Sequence, residues 1–219
     1  MSHKFKVRQG EKILNISYII VIIICYLIGS VQNGILLGKI FYKLDIRNFG
    51  SKSTGATNIN RVLGIKPGVV VLILDILKGL IPIFIIKLIF DEEIIHILSS
   101  CFIVIGHCFP IYHRFKGGKG VATGFGSVII HIPLISIALI PSLPIIYLTK
   151  YVSLGSVLGS LISMLLIFYL AIFSDLISYN FLYIGIVIPS IIIFKHRQNI
   201  IRIINNTENK ITFNNNETK

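Results

Sequence analysis

Long apolar runs separated by short polar segments dominate the sequence. The runs extend over about 16–41, 67–90, 94–112, 121–149, 152–173 and 176–194. Most of them have roughly the 20 residues that an α-helix needs to cross the hydrocarbon core of a bilayer. The pattern therefore predicts an all-α protein in which one bundle of transmembrane helices forms a single membrane domain.

Polar segments mark the two ends of that domain. Residues 1–15 are polar and basic, and the chain beyond Lys195 is polar and rich in asparagine. Segments with little hydrophobic content cannot bury enough apolar surface to become ordered. We therefore expect a basic amino-terminal arm at 1–15, a membrane domain at 16–204 and a disordered tail at 205–219.

The apolar run 121–149 determines the number of spans. It is long for one crossing and short for two, and it contains three prolines, which favour breaks and bends. Two crossings, with a turn near 131–133, bring the basic segment 195–197 to the same side as the basic segment 42–66. Because Lys and Arg concentrate in cytoplasmic loops, we expect this double crossing.

The sequence thus predicts about seven transmembrane helices, two of them short, with the amino end outside. The polar segments 42–66, 113–120 and 195–208 then share the cytoplasmic side of the membrane. The basic arm at 1–15 is an exception to the charge rule in this orientation.

The composition supports a membrane protein and adds a strong positive charge. Of the 219 residues 54% are hydrophobic and only 14% are charged, against roughly 25% in soluble domains. There are 21 Lys and Arg but 9 Asp and Glu, a formal charge of +12. Such an excess is typical of proteins that meet nucleic acids, anionic lipids or small anions, although the topology rule alone explains scattered lysines.

The segment 113–120 (HRFKGGKG) has the chemistry of a phosphate site. Glycines let backbone N–H groups approach an anion closely, two lysines add charge, and the positive end of a helix that begins near Val121 points to the same place. The candidate residues are Lys116, Gly117, Gly118, Lys119 and Gly120. It is not a Walker A loop, because His113 and Gly120 stand where that motif has Gly and Ser or Thr. A glycine-rich loop with ordinary cytoplasmic lysines explains it equally well.

Two further cytoplasmic segments carry groups that suit phosphate. The first, 45–61, combines small residues and hydroxyls with Asn58 and two arginines, although a polar connecting loop has the same composition. The second contains His196, Asn199 and Arg202, which form one polar row if the last helix continues beyond the membrane. A row of basic residues that anchors a helix to lipid headgroups is the simpler explanation of that spacing.

The charged and thiol side chains inside the apolar runs are expected to have structural roles or a role beneath the site. Asp75 and Lys78 lie three residues apart inside an apolar run, so we expect a buried ion pair with a structural role or a role beneath the site. Cys25, Cys101 and Cys108 show no metal-ligand spacing and are expected to be core residues. No metal site, no cofactor and no nucleophile for a covalent intermediate are indicated by any motif.

Five motifs in order give the chain a family resemblance. They are DIRNFGSKSTGATNINRVLG (45–64), DILKGLIP (75–82), GHCFPIYHRFKGGKGVAT (106–123), KYVSLGS (150–156) and HRQNIIRIINNTE (196–208). With these motifs the chain resembles the acyl-phosphate:glycerol-3-phosphate acyltransferases, the PlsY-type bacterial membrane enzymes. It departs from the family pattern at Lys52-Ser53, where the family has Gly-Asn, and at Asn206, where the family has Gly.

The resemblance implies seven membrane helices and an active site that faces the cytoplasm, in the bacterial inner membrane. It implies transfer of a fatty acyl group from acyl phosphate to the 1-hydroxyl of sn-glycerol 3-phosphate, the first acylation of phospholipid biosynthesis, with lysophosphatidic acid and phosphate as products. The expected partners are these substrates and membrane lipids, with no nucleic acid and a monomeric enzyme.

The resemblance also implies a set of functional residues. The family's catalytic residues fall on Ser51, Arg61, Lys119, His196 and Asn199. We expect Gly50, Thr57, Asn58, Lys116, Gly117, Gly118, Gly120 and Arg202 to bind substrate or phosphate. Positioning and charge stabilisation can supply most of the acceleration, because acyl phosphate carries a good leaving group.

A transporter or channel for an anionic metabolite is the alternative function. It would share the membrane spans and a cationic cytoplasmic vestibule. Transporters often place polar groups near the bilayer midplane between repeated halves. The sequence shows no repeat, and apart from Asp75 and Lys78 its polar groups are predicted at one face.

Overall fold

A computed structural model describes residues 3–211, with side chains from residue 16 onward, and within that range the secondary structure is entirely helical. The α-helices are α1 (His3–Ser30), α2 (Asn33–Tyr42), α3 (Ala56–Leu63), α4 (Ile65–Ile89), α5 (Glu93–Cys108), α6 (Val121–Ile129), α7 (Leu139–Thr149), α8 (Val152–Phe173), α9 (Leu182–Lys195) and α10 (Arg197–Ile204). Short 3₁₀ helices occupy Ile46–Asn48, Ile111–His113, Pro133–Ala138 and Tyr179–Phe181. The predicted all-α membrane bundle is confirmed.

Three helical segments of the described chain are long and apolar enough to cross a membrane: Ile65–Ile89, Glu93–His113 and Val152–Phe173. The number rises to five if each of two bent pairs counts as one span. These pairs are α1 with α2, which bend by 41°, and the end of the chain around α9 and α10, which bends by 53°. The predicted count of seven spans stays a prediction, since 121–149 is divided into shorter pieces.

Glycines allow two helix pairs to pack backbone against backbone. A Cβ on Gly29 of α1 would lie 2.1 Å from the carbonyl oxygen of Ile103, and one on Gly106 of α5 would lie 2.2 Å from that of Tyr26. The same reciprocal arrangement joins α4 and α6 through Gly79 and Gly126. Small residues at helix interfaces are how membrane helices gain close van der Waals contact.

The apolar core lies where α1, α4, α5, α6, α8 and α9 meet. The outer surface of the bundle carries large exposed apolar side chains, as lipid contact requires. Cys25, Cys101 and Cys108 are buried and unpaired within this part of the chain, which confirms their expected place in the core.

The contacts sort the chain segments between two ends of the bundle. At the first, which we call the polar end, residues 42–64, 107–120, 150–153 and 196–211 come together through side-chain hydrogen bonds. At the opposite end the imidazoles of His96 and His131 stack with centroids 5.4 Å apart, and the Lys87 ammonium donates to the Ile130 carbonyl at 3.1 Å. The turn near 131 therefore lies opposite the polar end.

Ordered backbone is described on both sides of the predicted membrane domain, 16–204. Residues 3–15, expected as an arm, continue α1. Residues 205–211 fold back after α10, where the Thr207 amide donates to the Arg202 carbonyl at 2.7 Å and the Ile211 amide to the Lys150 carbonyl at 2.9 Å. The rest of the expected disordered tail, 212–219, lies outside the described residues.

Candidate active site

A buried carboxylate, Glu208, organises the polar end. Its Oε1 accepts from the Ser153 hydroxyl at 2.9 Å and from the Asn199 amide at 2.6 Å, and its Oε2 accepts from Arg202 Nε at 2.7 Å. Burial acts to raise the pKa of Glu208, but these hydrogen bonds and the charge of Arg202 together hold it below its ordinary value. The carboxylate thereby joins the start of α8, helix α10 and the tail.

Three cations surround this carboxylate: Arg61, Lys119 and Arg202. Burial, together with the charges of Arg61 and Arg202, lowers the pKa of Lys119 to about 8, although Glu208 acts in the opposite direction. The Nη2 of Arg61 donates to the Asn209 carbonyl at 2.7 Å, while its Nε is buried with no partner among the described residues. Three cations against one carboxylate leave a net positive site with an unused donor, which suits an anion.

His196 lies at the bend between α9 and α10 and is 2% exposed. Its Nδ1 is 2.8 Å from the Ile192 carbonyl, which can only accept, so Nδ1 carries the hydrogen and Nε2 keeps a lone pair. Burial, reinforced by the charge of Lys119, lowers the pKa of His196 to about 4. The imidazole is therefore neutral at pH 7 and a hydrogen-bond acceptor at Nε2.

The row predicted over 196–202 is only partly continuous. The chain bends by 53° at His196, so α10 leaves the axis of α9. Asn199 and Arg202 still point to the same group, because both donate to Glu208.

The loop that carries Ser51 is shaped by Asn58, which is 1% exposed. Asn58 Oδ1 accepts from the Ser51 amide at 2.8 Å, and its Nδ2 donates to the carbonyls of Phe49 and Ser53 at 3.1 and 2.9 Å. Both polar atoms of Asn58, expected to bind substrate, are thus used inside the loop. Gly50 has a φ of +56°, and a Cβ there would lie 2.4 Å from Asn58 Oδ1.

Other residues of that segment have different surroundings. The side chains of Ser51 and Thr57 are half-buried. Arg47 is one of the two arginines of 45–61 that suit phosphate, but it is paired with Asp45, and this guanidinium holds the pKa of the Asp45 carboxyl well below its ordinary value.

The glycines of 117–120 have a packing role that the sequence analysis did not anticipate. The Gly118 amide donates to the His107 carbonyl at 3.1 Å, so this N–H is not free for an anion. A Cβ on Gly117 would lie 2.2 Å from that carbonyl oxygen, and one on Gly118 would lie 2.0 Å from His107 Nε2. Lys116 is exposed, whereas Lys119 is half-buried and Gly120 has a φ of +86°.

A second polar network lies beneath this loop, inside the bundle. Lys78 Nζ is 3.3 Å from Asp75 Oδ1, the ion pair expected from their spacing, and it lies 2.9 Å from His107 Nδ1. The same ammonium donates to the Val31 carbonyl at 2.7 Å, and Asn33 donates to Asp75 at 2.9 Å. The pair therefore ties α4 to α5 and to the junction of α1 and α2.

An apolar cleft of about 130 Å³ opens between α6, α7, α8 and α9. It reaches from Val121 and Ile192, next to the polar end, toward Ile135 and Ile184. The serines that line it donate to carbonyls four residues earlier, as Ser160 does to Ser156 at 2.8 Å. The walls are thus effectively apolar and fit a hydrocarbon chain.

Sequence reasoning missed Glu208, Ser153, His107 and Gln32. Glu208 and Ser153 both stand in motifs quoted above, and a lone acid among cations was a usable signal. His107 also stands in the motif 106–123, but a single polar residue beside an apolar run does not indicate its partner. Gln32 stands in none of the five motifs and gave no signal. Among the described residues no three His, Cys, Asp or Glu side chains are placed to hold a metal ion.

Comparisons with known proteins agree on one family. The family model for glycerol-3-phosphate acyltransferase matches residues 19–206. The glycerol-3-phosphate acyltransferase of Listeria monocytogenes serotype 4a (strain HCC23) is 40% identical over 206 residues, 90% of this chain and 98% of that protein. Glycerol-3-phosphate acyltransferase 2 of Bacillus anthracis is 44% identical over 196 residues, 88% of this chain and 98% of that protein.

Solved structures show the same likeness. The crystal structure of PlsY (YgiH), an integral membrane glycerol 3-phosphate acyltransferase, in its glycerol 3-phosphate form superposes with a TM-score of 0.80 and 37% identity. It covers 90% of this chain and 96% of that one. The lysophosphatidic acid form of that protein gives a TM-score of 0.78 and 35% identity with the same coverage.

Proposed function

The chain belongs to the glycerol-3-phosphate acyltransferase family, and on that basis we propose that it transfers a fatty acyl group from acyl phosphate to the 1-hydroxyl of sn-glycerol 3-phosphate. It is an integral membrane acyltransferase that forms lysophosphatidic acid in phospholipid biosynthesis. The observation that carries the assignment to a site is the cluster of Arg61, Lys119 and Arg202 beside an apolar cleft. Two phosphates and one acyl chain require this combination.

Arg61 and Lys119 are the proposed phosphate ligands. The buried, unpaired Nε of Arg61 offers a donor that a phosphate oxygen would satisfy. Lys119 is charged at neutral pH in spite of burial, and an arriving anion stabilises that charge. Arg202 adds positive charge to the site, but both Arg202 and Asn199 donate to Glu208. We therefore propose that these two residues position the site and are not direct phosphate ligands.

Ser51 and His196 are proposed to orient the reacting groups. The Ser51 hydroxyl would hydrogen-bond near the acyl carbonyl or the attacking hydroxyl. The lone pair on His196 Nε2 would accept from a glycerol hydroxyl and aim its oxygen at the acyl carbon.

The reaction needs no covalent enzyme intermediate. The 1-hydroxyl oxygen forms a bond to the acyl carbon, the bond from that carbon to the phosphate oxygen breaks, and phosphate leaves with the electron pair. We assign the hydroxyl proton to the leaving phosphate. Its oxygen takes the electron pair of the broken bond and is more basic than His196, whose pKa is lowered to about 4.

The acyl chain is proposed to lie in the cleft between α6 and α9, with the polar end in the cytoplasm of a bacterial cell and the helices in its inner membrane. The chain is proposed to act as a monomer. The transporter alternative is not retained, because the family is one of acyltransferases.

Purified protein supplied with palmitoyl phosphate and glycerol 3-phosphate should release phosphate and form lysophosphatidic acid, whereas acyl-CoA should serve poorly. Lys119→Ala should lose most turnover, and Lys66→Ala, an exposed lysine near the same end, should not. Absence of turnover with acyl phosphates of several chain lengths would overturn the proposed reaction. Near-normal rates for Lys119→Ala would remove Lys119 from the site.

A further inference from the structure

Three successive residues at the junction between α1 and α2 make polar contacts with other parts of the bundle. The Val31 carbonyl accepts from Lys78 of α4, and the Asn33 amide donates to Asp75 of α4. Between them Gln32 adopts an extended backbone conformation, and its side chain is 1% exposed. A buried amide must satisfy its polar atoms with protein partners, so these partners define its role.

The carbonyl oxygen of Gln32 points to the loop of Ser51. It accepts from the Thr54 hydroxyl at 2.6 Å, and Thr54 is 3% exposed. The backbone of Thr54 is packed against α2 as well, because a Cβ on Gly34 would lie 2.0 Å from the Thr54 carbonyl oxygen. Thr54 stands three residues after Ser51, so its position fixes that short loop.

The amide nitrogen of Gln32 points to the loop of Lys119. It donates to the His107 carbonyl at 3.1 Å, and the same carbonyl accepts from the Gly118 amide at 3.1 Å. Gly118 directly precedes Lys119. The orientation of the amide group is fixed, since the His107 carbonyl can only accept and a flipped Gln32 would face it with its own oxygen.

We propose that Gln32 is a positioning residue that sets the distance between the Ser51 loop and the Lys119 loop through the path Thr54–Gln32–His107–Gly118. The inference rests on the proposed function of Ser51 and Lys119. No side chain of this path needs to touch substrate. Its contribution is geometric, because a displacement of about 1 Å between reacting groups can cost about 100-fold in rate.

The test compares Gln32→Met, Thr54→Val and the double variant with wild type in kinetics with palmitoyl phosphate and glycerol 3-phosphate, per mole of monodisperse protein. Each variant removes the link while keeping side-chain volume close to the original. We expect kcat to fall roughly 10- to 100-fold in Gln32→Met with less than about threefold change in either KM, because binding groups stay and alignment is lost. The double variant should be no slower than the slower single variant, because both break one path.

Ser100→Ala is the matched control. Its buried hydroxyl donates to the Ser127 carbonyl at 3.3 Å, away from both loops. It should lower thermal stability about as much as Thr54→Val while kcat stays that of wild type. If Gln32→Met does not fold, the kcat of Thr54→Val and its KM values carry the test alone.

Three outcomes would overturn the proposal. Wild-type kcat in Gln32→Met or, where that variant does not fold, in Thr54→Val removes the positioning role and leaves the proposed function intact. The same follows if the losses in the two single variants multiply in the double variant. Absence of turnover in the wild-type protein removes the proposed function and this inference with it.

Discussion

Lys52 and Asn206 stand where the family pattern has glycine, and both adopt positive φ angles, +58° and +54°. The left-handed conformation costs a residue with a Cβ about 1–2 kcal/mol, and asparagine tolerates it better than lysine. The glycines of the family pattern thus indicate a left-handed backbone at these two positions, which Lys52 and Asn206 by themselves do not indicate.

Lys52→Gly should therefore stabilise the protein. Relief of the backbone strain exceeds the gain in unfolded-state entropy that glycine brings, roughly 0.5–1 kcal/mol, so we expect a net gain of about 0.5 kcal/mol. The measurement is the thermal unfolding midpoint in detergent. Lys66→Gly, at the start of α4, should lower that midpoint, and a lowered midpoint in Lys52→Gly would contradict the strain at this position.

The pH dependence of the reaction should report Lys119. The pKa of this residue is lowered to about 8, so its charge is present below that pH and lost above it. Since a neutral amine does not attract phosphate, kcat/KM should decline about tenfold per pH unit above pH 8. In Lys119→Arg the guanidinium stays charged over the whole pH range measured, so the alkaline decline of kcat/KM should disappear from that range. If the pH profile of this variant equals that of wild type, the decline belongs to another group.

At the residue scale the sequence indicated where the charged residues lie better than it indicated which groups they and the buried amides contact. Lys119, Arg61, His196 and Arg202 all lie at the polar end, and the pattern of cationic residues along the chain indicated this shared location. Their roles in the site stay predictions. Asn58 was expected at the ligand and is instead used inside its own loop. Which of several acceptors a buried amide takes depends on the folded loop, and no spacing along the chain reveals it.

At the element scale the tail 205–211 depends on Glu208. Replacement by Gln puts an NH₂ group where donors from Asn199, Arg202 and Ser153 converge, and it removes the charge that compensates Arg202. Breaking charged hydrogen bonds at a buried carboxylate costs roughly 2 kcal/mol. Helix α10 and the tail should separate from α8 more often.

Hydrogen exchange should show that separation. In Glu208→Gln the amides of Thr207 and Ile211, which donate to the carbonyls of Arg202 and Lys150, should exchange roughly 30-fold faster. Ser153→Ala, which removes one neutral donor, should have a smaller effect, and Asp91→Asn at the opposite end none. Unchanged exchange in Glu208→Gln would mean that the tail is held by its backbone contacts alone.

The bend between α9 and α10 marks the limit of prediction for elements. The spacing of His196, Asn199 and Arg202 gives one polar row only if the last helix continues straight beyond the membrane. The residues of 182–204 contain no glycine or proline at the bend to announce it. Instead, Asn199 and Arg202 of α10 donate to Glu208, which lies beyond the end of that helix. A contact with a residue outside the helix cannot be predicted from the periodicity of the helix itself.

At the scale of the whole molecule, the charge distribution predicts that 121–149 crosses the membrane twice, and the contacts at its two ends and its middle bear on this prediction. Val121 follows the Lys119 loop, and Lys150 meets the tail at Ile211, so both termini of this run lie at the polar end. Its middle, Ile130 and His131, contacts Lys87 and His96 at the opposite end. The helix breaks at 130–132, next to the predicted turn at 131–133. A proline such as Pro133 interrupts a helix locally, so the sequence alone can indicate the position of this break.

This course predicts which side of the membrane each loop occupies. With an impermeant maleimide added to intact cells, Asp91→Cys and Asp175→Cys should be labelled from outside, and Lys52→Cys only after lysis. Asp175→Cys is decisive, because a single crossing of 121–149 would put it in the cytoplasm. All three replaced residues are exposed, and the native Cys25, Cys101 and Cys108 are buried, so background labelling should be low. Labelling of Lys52→Cys in intact cells would reverse the orientation and place the polar end, with the proposed site, outside the cell.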